Sequence, residues 1–143
     1  MTRYVTQVFP NKPLDTDYYS QKLARETDIA DLAFDFYHQL IDYTIMDVRS
    51  EKDFEKRHIP GAISCPNGIF TKDLSDIKPN IVVYCWGPSC NGSTKAALRL
   101  LNKGYNVKEL IGGIEYWVKE GAPVEGADLD SSLYWQFDKL NKV

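Results

Sequence analysis

The chain has 143 residues, 43% of them hydrophobic and 26% charged, with a formal charge of −3 at pH 7. That is one domain's length with enough apolar material for a single core, which argues against disorder. The small negative charge and the absence of a basic stripe argue against nucleic acid as a partner. No apolar run suits a signal peptide or a bilayer span, so a soluble cytoplasmic protein without membrane association is expected.

The first fourteen residues carry Pro10 and Pro13 and read as an extended arm. Asp15 to Arg25 suits a helix with an Asp N-cap. Thr27 is placed to cap the next helix, where Ile29, Leu32, Ala33, Phe36 and Leu40 recur at helical spacing and should pack on a sheet. Tyr43 to Val48 reads as a buried strand, and Ser50 as the cap of a helical turn. His58 to Ala62 is a turn, followed by a short strand, Ala62 to Cys65. After the breaker pair Pro79-Asn80, Ile81 to Cys85 is apolar throughout, as a central parallel strand should be. A helix follows from Ser93 or Thr94, with Ala97, Leu98 and Leu101 on one face and Gly104 at its end. Val107 to Leu110 is another strand, Gly112-Gly113 a turn, and Ile114 to Lys119 a short helix stopped by Gly121-Ala122-Pro123. Asp130 to Leu140 reads as weakly helical, with Leu133, Phe137 and Leu140 on one stripe. Strands alternating with helices predict a three-layer α/β domain, a small parallel sheet flanked by helices on both faces. The expected division is an arm and helix over 1–26, the domain over 27–126 and a tail over 127–143.

Chemistry concentrates where the apolar strand ends. Cys85 is followed by Trp86-Gly87-Pro88-Ser89-Cys90-Asn91-Gly92 and then a helix. A strand–loop–helix of this kind aims backbone N–H groups and the positive end of the helix dipole at one spot, where they stabilise a thiolate. A free thiol of pKa near 8.5 is only about 3% ionised at pH 7, so this lowering decides reactivity. The expected donors are the amides of Trp86, Gly87, Ser89, Cys90, Asn91 and Gly92. Gly87, Gly92 and the small Ser89 let the loop curl inward, while Pro88 removes one donor. With three cysteines (Cys65, Cys85 and Cys90), no CxxC pair and two distant histidines, no metal site or disulfide framework is expected.

Several segments resemble the rhodanese-like domains, the single-domain sulfurtransferases. They are Asp47-Val48-Arg49 with Phe54 and His58-Ile59-Pro60-Gly61-Ala62, then Val82 to Cys85, then Ser93-x-Lys95-Ala96-Ala97, and finally Leu110-x-Gly112-Gly113-x-x-x-Trp117. The resemblance implies a ping-pong reaction without cofactor. A cysteine thiolate takes a sulfane sulfur from a small donor anion, such as thiosulfate, or from a persulfide. It passes that sulfur to cyanide or to a thiol, on a small molecule or a protein. Cys85 matches the nucleophile. Cys90, with only Asn91 and Gly92 before the helix, is the alternative nucleophile or a resolving thiol. Ser93 and Lys95, the nearest cation, are expected at the substrate alongside Trp86, Gly87, Ser89, Asn91 and Gly92. Asp47 and Arg49 are expected to brace the scaffold.

The loop departs from the family pattern. Ser93 comes eight positions after Cys85, a longer loop than the common form, and no Arg or Lys precedes Lys95. That disfavours the phosphatase and arsenate-reductase relatives, whose loops carry an arginine, and weakens thiosulfate as a donor. A catalytically silent binding module and a dithiol redox protein using Cys85 and Cys90 remain as alternatives.

Elsewhere the expectations are structural. His58 reads as a turn residue without a carboxylate partner, Trp117 as packing, Cys65 as inert, and Trp86 as either pocket mouth or core cap. The run from Glu51 to Arg57 reads as a solvated face. Tyr18, Tyr19, Phe34, Phe36 and Tyr37 read as core and flank.

Overall fold

The computed structural model describes residues 16–74 and 76–135. The N-terminal arm, Asp15 and the end of the expected C-terminal helix, with Phe137 and Leu140, lie outside the described residues. Five helices are described: α1 (Asp17–Arg25), α2 (Ile29–Tyr37), α3 (Glu51–Lys56), α4 (Gly92–Asn102) and α5 (Gly113–Lys119). They alternate with β1 (Glu26–Thr27), β2 (Thr44–Asp47), β3 (Ile63–Ser64), β4 (Asn80–Tyr84) and β5 (Asn106–Leu110). The sheet is parallel throughout, in the order β1-β5-β4-β2-β3. The fold is the expected α/β arrangement.

Topology places the helices. The connection from β4 to β5 and that from β1 to β2 run in opposite directions across the sheet. Right-handed crossovers therefore put α4 on one face and α2 on the other. α2 meets α5, with the Phe36 and Trp117 rings edge-to-face at 5.8 Å. The core gathers Leu32, Met46, Ile59, Ile81, Val83, Tyr84, Leu100, Ile114 and Trp117, all essentially inaccessible. β4 is central, so four of its five side chains are buried, as its apolar run dictates.

Several elements differ from the sequence reading. Thr27 does not cap α2. It pairs with Leu110 in β1, a two-residue edge strand, and Asp28 caps the helix by accepting the Asp31 N–H at 2.9 Å. A two-residue strand offers no alternation to read. α1 starts after Thr16, whose side chain makes no cap. Leu40 lies beyond α2 and is exposed. α4 buries Ser93, Ala96 and Leu100, whereas Leu98 and Leu101 are exposed, so the docking face is turned from the one expected. A small face is required because Ala96 lies against Gly68 in the turn Pro66–Gly68, where a Cβ would sit 2.9 Å from the alanine methyl. Of the aromatics expected as core and flank, Tyr18, Tyr19, Phe34 and Tyr37 are exposed, and Phe36 alone packs on the core. Asp130 to Trp135 is not helical.

The charge run of α3 is not a uniform solvated face. Asp53 and Arg57 are buried. Asp53 accepts the Ser50 hydroxyl at 2.7 Å, completing the cap predicted at Ser50. Arg57 donates to the carbonyls of Leu129 (2.6 Å) and Ser131. His58 has the carboxylate partner thought absent. Its Nε2 lies 3.2 Å from Glu125 Oε1, its Nδ1 2.7 Å from the Phe54 carbonyl, and its ring stacks on Phe54. Sixty-seven residues of sequence separate that pair, so spacing gives no hint of it.

Asp47 and Arg49 form a buried ion pair at the end of β2. Arg49 Nη2 lies 2.7 Å from Asp47 Oδ2, and Arg49 Nε lies 3.1 Å from Asp47 Oδ1. The same Nη2 donates to the Arg57 carbonyl at 2.6 Å. Removing one partner strands the other charge in the interior. Asp47→Ala is therefore expected to lower unfolding free energy by about 3–5 kcal/mol in denaturant titration. A loss below about 1 kcal/mol would show that the pair does not hold this corner.

Candidate active site

β4 and β2 are neighbours whose following segments leave in opposite directions. Their carboxyl ends therefore frame the crevice where open α/β sheets bind ligands. Cys85 is the first residue past β4, and α4 begins at Gly92. Trp86 follows Cys85. It is buried, and the Arg49 guanidinium stacks on its ring at 4.7 Å to the centroid. Of the two roles open for Trp86, the geometry is that of a core cap.

The backbone at Cys85 is fixed by α5. Ile114 N–H donates to the Cys85 carbonyl at 3.1 Å, and Glu115 N–H to the Trp86 carbonyl at 2.9 Å. This close approach requires glycine at the helix start. Gly113 has φ +58°, and a Cβ there would lie 2.7 Å from the Cys85 carbonyl oxygen. The Gly-Gly pair read as a turn is thus also part of the site's foundation.

Cys85 and Cys90 come together. Their Sγ atoms are 3.0 Å apart, close enough to share a hydrogen. Both lie over Gly92, where an added Cβ would stand 2.8 Å from Cys85 Sγ and 3.3 Å from Cys90 Sγ. Cys90 N–H donates to the Gly87 carbonyl at 3.1 Å, closing a turn across Pro88-Ser89 that swings the second thiol back to the first. Cys85 is buried, while Cys90 is half-buried at the surface.

The expected ring of six amides around one sulfur is not what forms. The Gly92 amide donates to Cys90 Sγ at 3.4 Å rather than to Cys85. The Cys90 amide is used in the turn. Cys85 is accordingly not lowered in pKa but pushed up. Burial is the largest cause, followed by the hydrogen bond and the charge interaction with Cys90; the Trp86 amide opposes them, and Asp47 adds to them. The turn from Gly87 to Cys90 explains the difference, since it brings a second sulfur to Cys85 where amides were expected.

Other expected site residues are placed differently. Ser93 is buried with its hydroxyl 3.0 Å from Glu109 Oε1, and Thr94 donates to the same oxygen at 2.6 Å. Lys95 is exposed on α4, its amide donating to the Asn91 carbonyl. Ser89 and Asn91 are exposed on the loop. Gly87 lies against α5, where a Cβ would meet Glu115 Oε1 at 2.5 Å. Glu109 and Glu115 were not among the residues read as functional. The charged pair Lys108-Glu109 inside the strand was the available signal, and the register partner of Glu109, Val83 on β4, places it beside the site. Cys65 stays apart, buried and pushed up in pKa chiefly by burial. A groove of about 580 Å³ lined by residues including Tyr43, Thr44, Asp73 and Lys78 opens at the amino end of β2 and contains no cysteine or histidine.

Comparisons with known proteins agree with the fold. The profile of the Rhodanese-like domain matches residues 34–120. The chain is 45% identical to the crystal structure of the BH2092 protein from Bacillus halodurans, covering 89% of this chain and 96% of that one with a TM-score of 0.80. It is 34% identical over 95 residues to the HTH-type transcriptional regulator Rv0324 of Mycobacterium tuberculosis, covering 61% of this chain but 42% of that protein. It is 32% identical over 101 residues to Thiosulfate sulfurtransferase 16, chloroplastic, of Arabidopsis thaliana, covering 60% of this chain and 82% of that one. Among the described residues no helix is long and apolar enough to cross a membrane.

Two outcomes follow from the packing and electrostatics. Gly92→Ala is expected to destabilise the fold by about 1–3 kcal/mol in denaturant titration, because its methyl would overlap Cys85 Sγ. A neutral effect would mean the sulfurs are not held against this backbone. Because Cys85 binds its proton more tightly than a free thiol, its alkylation rate is expected to keep rising as pH passes about 8.5. A rate that levels off at or below neutral pH would contradict a Cys85 thiol pushed up by burial.

Proposed function

Because the chain belongs to the rhodanese-like domain family, we propose that it is a sulfurtransferase that carries a sulfane sulfur on Cys85 as a persulfide. The observation that carries the reading is the position of Cys85. Its sulfur lies past the end of the central strand, over the first residue of α4, with a second sulfur 3.0 Å away, close enough to share a hydrogen with it. A relative named a thiosulfate sulfurtransferase supports the chemistry.

The dithiol first loses one proton to solvent, and the proton that remains is shared between two sulfurs 3.0 Å apart. As Cys85 attacks the outer sulfur of a donor, that remaining proton stays on Cys90 Sγ. The donor's bond to its sulfane sulfur breaks, and its electron pair leaves with the donor remainder: sulfite from thiosulfate, a thiolate from a persulfide. Cys85 is left as a persulfide anion at the start of α4, whose dipole stabilises negative charge. Attack by an acceptor thiol on the outer sulfur returns Cys85. The acceptor is a thiol on a small molecule or on a protein. No metal or organic cofactor enters the cycle.

The donor class follows from charge. No arginine or lysine stands between Cys85 and Lys95. Glu109 takes the hydroxyls of Ser93 and Thr94 at the helix start, where an oxyanion would otherwise be held. A sulfonate group finds no bidentate partner there. A persulfide donor, carrying less charge around its reacting sulfur, suits the site better than thiosulfate. Phosphoryl and arsenyl chemistry is disfavoured on the same ground.

The test is sulfur transfer to cyanide from thiosulfate and from glutathione persulfide, with wild type, Cys85→Ser and Cys90→Ser. Cys85→Ser is expected to lose at least about a thousandfold in turnover. The persulfide is expected to exceed thiosulfate in kcat/KM by about tenfold or more. Full turnover by Cys85→Ser would move the persulfide to Cys90. No transfer by any form with either donor would leave a catalytically silent binding module.

A further inference from the structure

The loop does more than present one thiol. We propose that Cys90 is a resolving nucleophile that attacks the Cys85 sulfur of the persulfide, forming a Cys85–Cys90 disulfide and releasing hydrosulfide. The chain would then be a sulfane-sulfur reductase as well as a carrier. The inference rests on the proposed persulfide at Cys85, and its chemistry goes beyond transfer.

Three observations carry it. Cys90 Sγ stands 3.0 Å from Cys85 Sγ, within the distance of a near-attack arrangement. The sulfur it touches is the inner one, the atom bonded to the Cys85 side chain. Attack there yields a disulfide, whereas attack on the outer sulfur would only relay it. The backbone is also shaped for the contact. The Gly87–Cys90 turn returns the second thiol to the first, and Gly92 leaves open the space that a Cβ would fill against both sulfurs. Finally, the Gly92 amide donates to Cys90 Sγ at 3.4 Å and holds that sulfur beside Cys85. A bystander cysteine would need neither the amide nor the space.

The step balances without an outside oxidant. The Cys85 persulfide anion and the Cys90 thiol give a Cys85–Cys90 disulfide and hydrosulfide. The bond between the two sulfurs of the persulfide breaks as the new sulfur–sulfur bond forms. The Cys90 proton leaves on the departing sulfur, which is reduced from the sulfane to the sulfide level, and the two cysteine sulfurs are oxidised. A disulfide bond needs the sulfurs at about 2.05 Å, so the two must close by about 1 Å. Pro88, Ser89 and Asn91 are exposed, so no buried packing of these residues opposes that movement. Return to the dithiol requires a reductant of the dithiol or monothiol class. This places the protein before a thiol-reducing step and makes hydrosulfide its product.

The experiment uses the reduced full chain, as wild type, Cys90→Ser and Cys85→Ser. Each is mixed with glutathione persulfide or thiosulfate with no acceptor present, then followed by intact mass and peptide mapping. Glutathione persulfide itself sheds hydrosulfide, so release is read against Cys85→Ser. Wild type is expected to release about one hydrosulfide per chain above that background and to become lighter by two hydrogens, with Cys85 and Cys90 joined. Cys90→Ser is expected to become heavier by one sulfur at Cys85 and to release less than about a tenth as much. A parallel arm treats the same proteins with substoichiometric Ellman's reagent. Wild type should release about two chromophores per reagent as Cys90 displaces the second, and Cys90→Ser about one. Sulfur retained on wild-type Cys85, with Cys90 still free, overturns the resolving step and leaves the sulfurtransferase reading standing. A disulfide in the Ellman's arm with no sulfur taken up from either donor overturns the persulfide reading and the release of hydrosulfide with it. A wild type matching Cys90→Ser in both arms overturns the role of Cys90 outright.

Discussion

Two sulfur atoms held 3.0 Å apart over a residue with no side chain set the terms for everything this site does. The contact depends on three separate pieces of backbone. The Ile114 amide fixes the Cys85 carbonyl, the Gly87–Cys90 turn folds the loop back, and Gly92 yields the space above α4. Each piece is local, yet they are delivered by the end of β4, by the loop and by the start of α5. Only the parallel sheet with its right-handed crossovers brings those three together. The Asp47–Arg49 pair steadies the neighbouring corner, since Arg49 stacks on the Trp86 ring that follows the first cysteine.

The electrostatics follow from that contact. A lone cysteine at such a position would be expected to lose its proton to a field of amides. Here the second thiol replaces most of that field, and a buried sulfur beside another sulfur holds its proton harder. Because the two sulfurs lie within hydrogen-bonding distance, the useful quantity is where a hydrogen between them sits when one sulfur attacks. The Gly92 amide donates to Cys90 rather than to Cys85. Glu109, satisfied by two hydroxyls at the helix start, removes the place where a multiply charged donor would dock. The turn from Gly87 to Cys90 therefore explains the raised thiol, and Glu109 the proposed preference for a donor of low charge.

The fold was legible where periodicity and capping are local. The apolar run into Cys85, the Ser50 cap and the Gly-rich turn before Ile114 each appear in the structure. Tertiary pairing was not legible. β1 has no pattern of its own and exists because Thr27 finds Leu110. The buried face of α4 was misjudged because Ala96 and Ser93 carry no strong hydrophobic signal and are selected by the close approach of Gly68 and by Glu109. His58 and Glu125, like Arg57 and Ser131, are partners across long stretches of chain. Within the site, the sequence singled out both cysteines and Gly92 but aimed six amides at one sulfur. The distance between the thiols, which inverts that expectation, follows from a turn that Gly87-Pro88-Ser89-Cys90 suggests only once its closure is seen.

The two proposed activities differ only in which nucleophile reaches Cys85 first. An acceptor thiol must diffuse to the outer sulfur, whereas Cys90 is already at the inner one, where proximity alone is equivalent to a very high local concentration. Transfer therefore prevails only when the acceptor is bound beside the persulfide, or when the loop holds Cys90 away from the line of attack. Loop position then sets the partition between delivering a sulfur and discharging it as hydrosulfide. Pro88, which limits the turn, becomes as relevant to the outcome as either cysteine. In a shorter loop without Cys90 that branch would not exist, and a persulfide formed there would wait for an external acceptor. The extra loop length thus changes the chemistry available to Cys85 rather than merely decorating its rim.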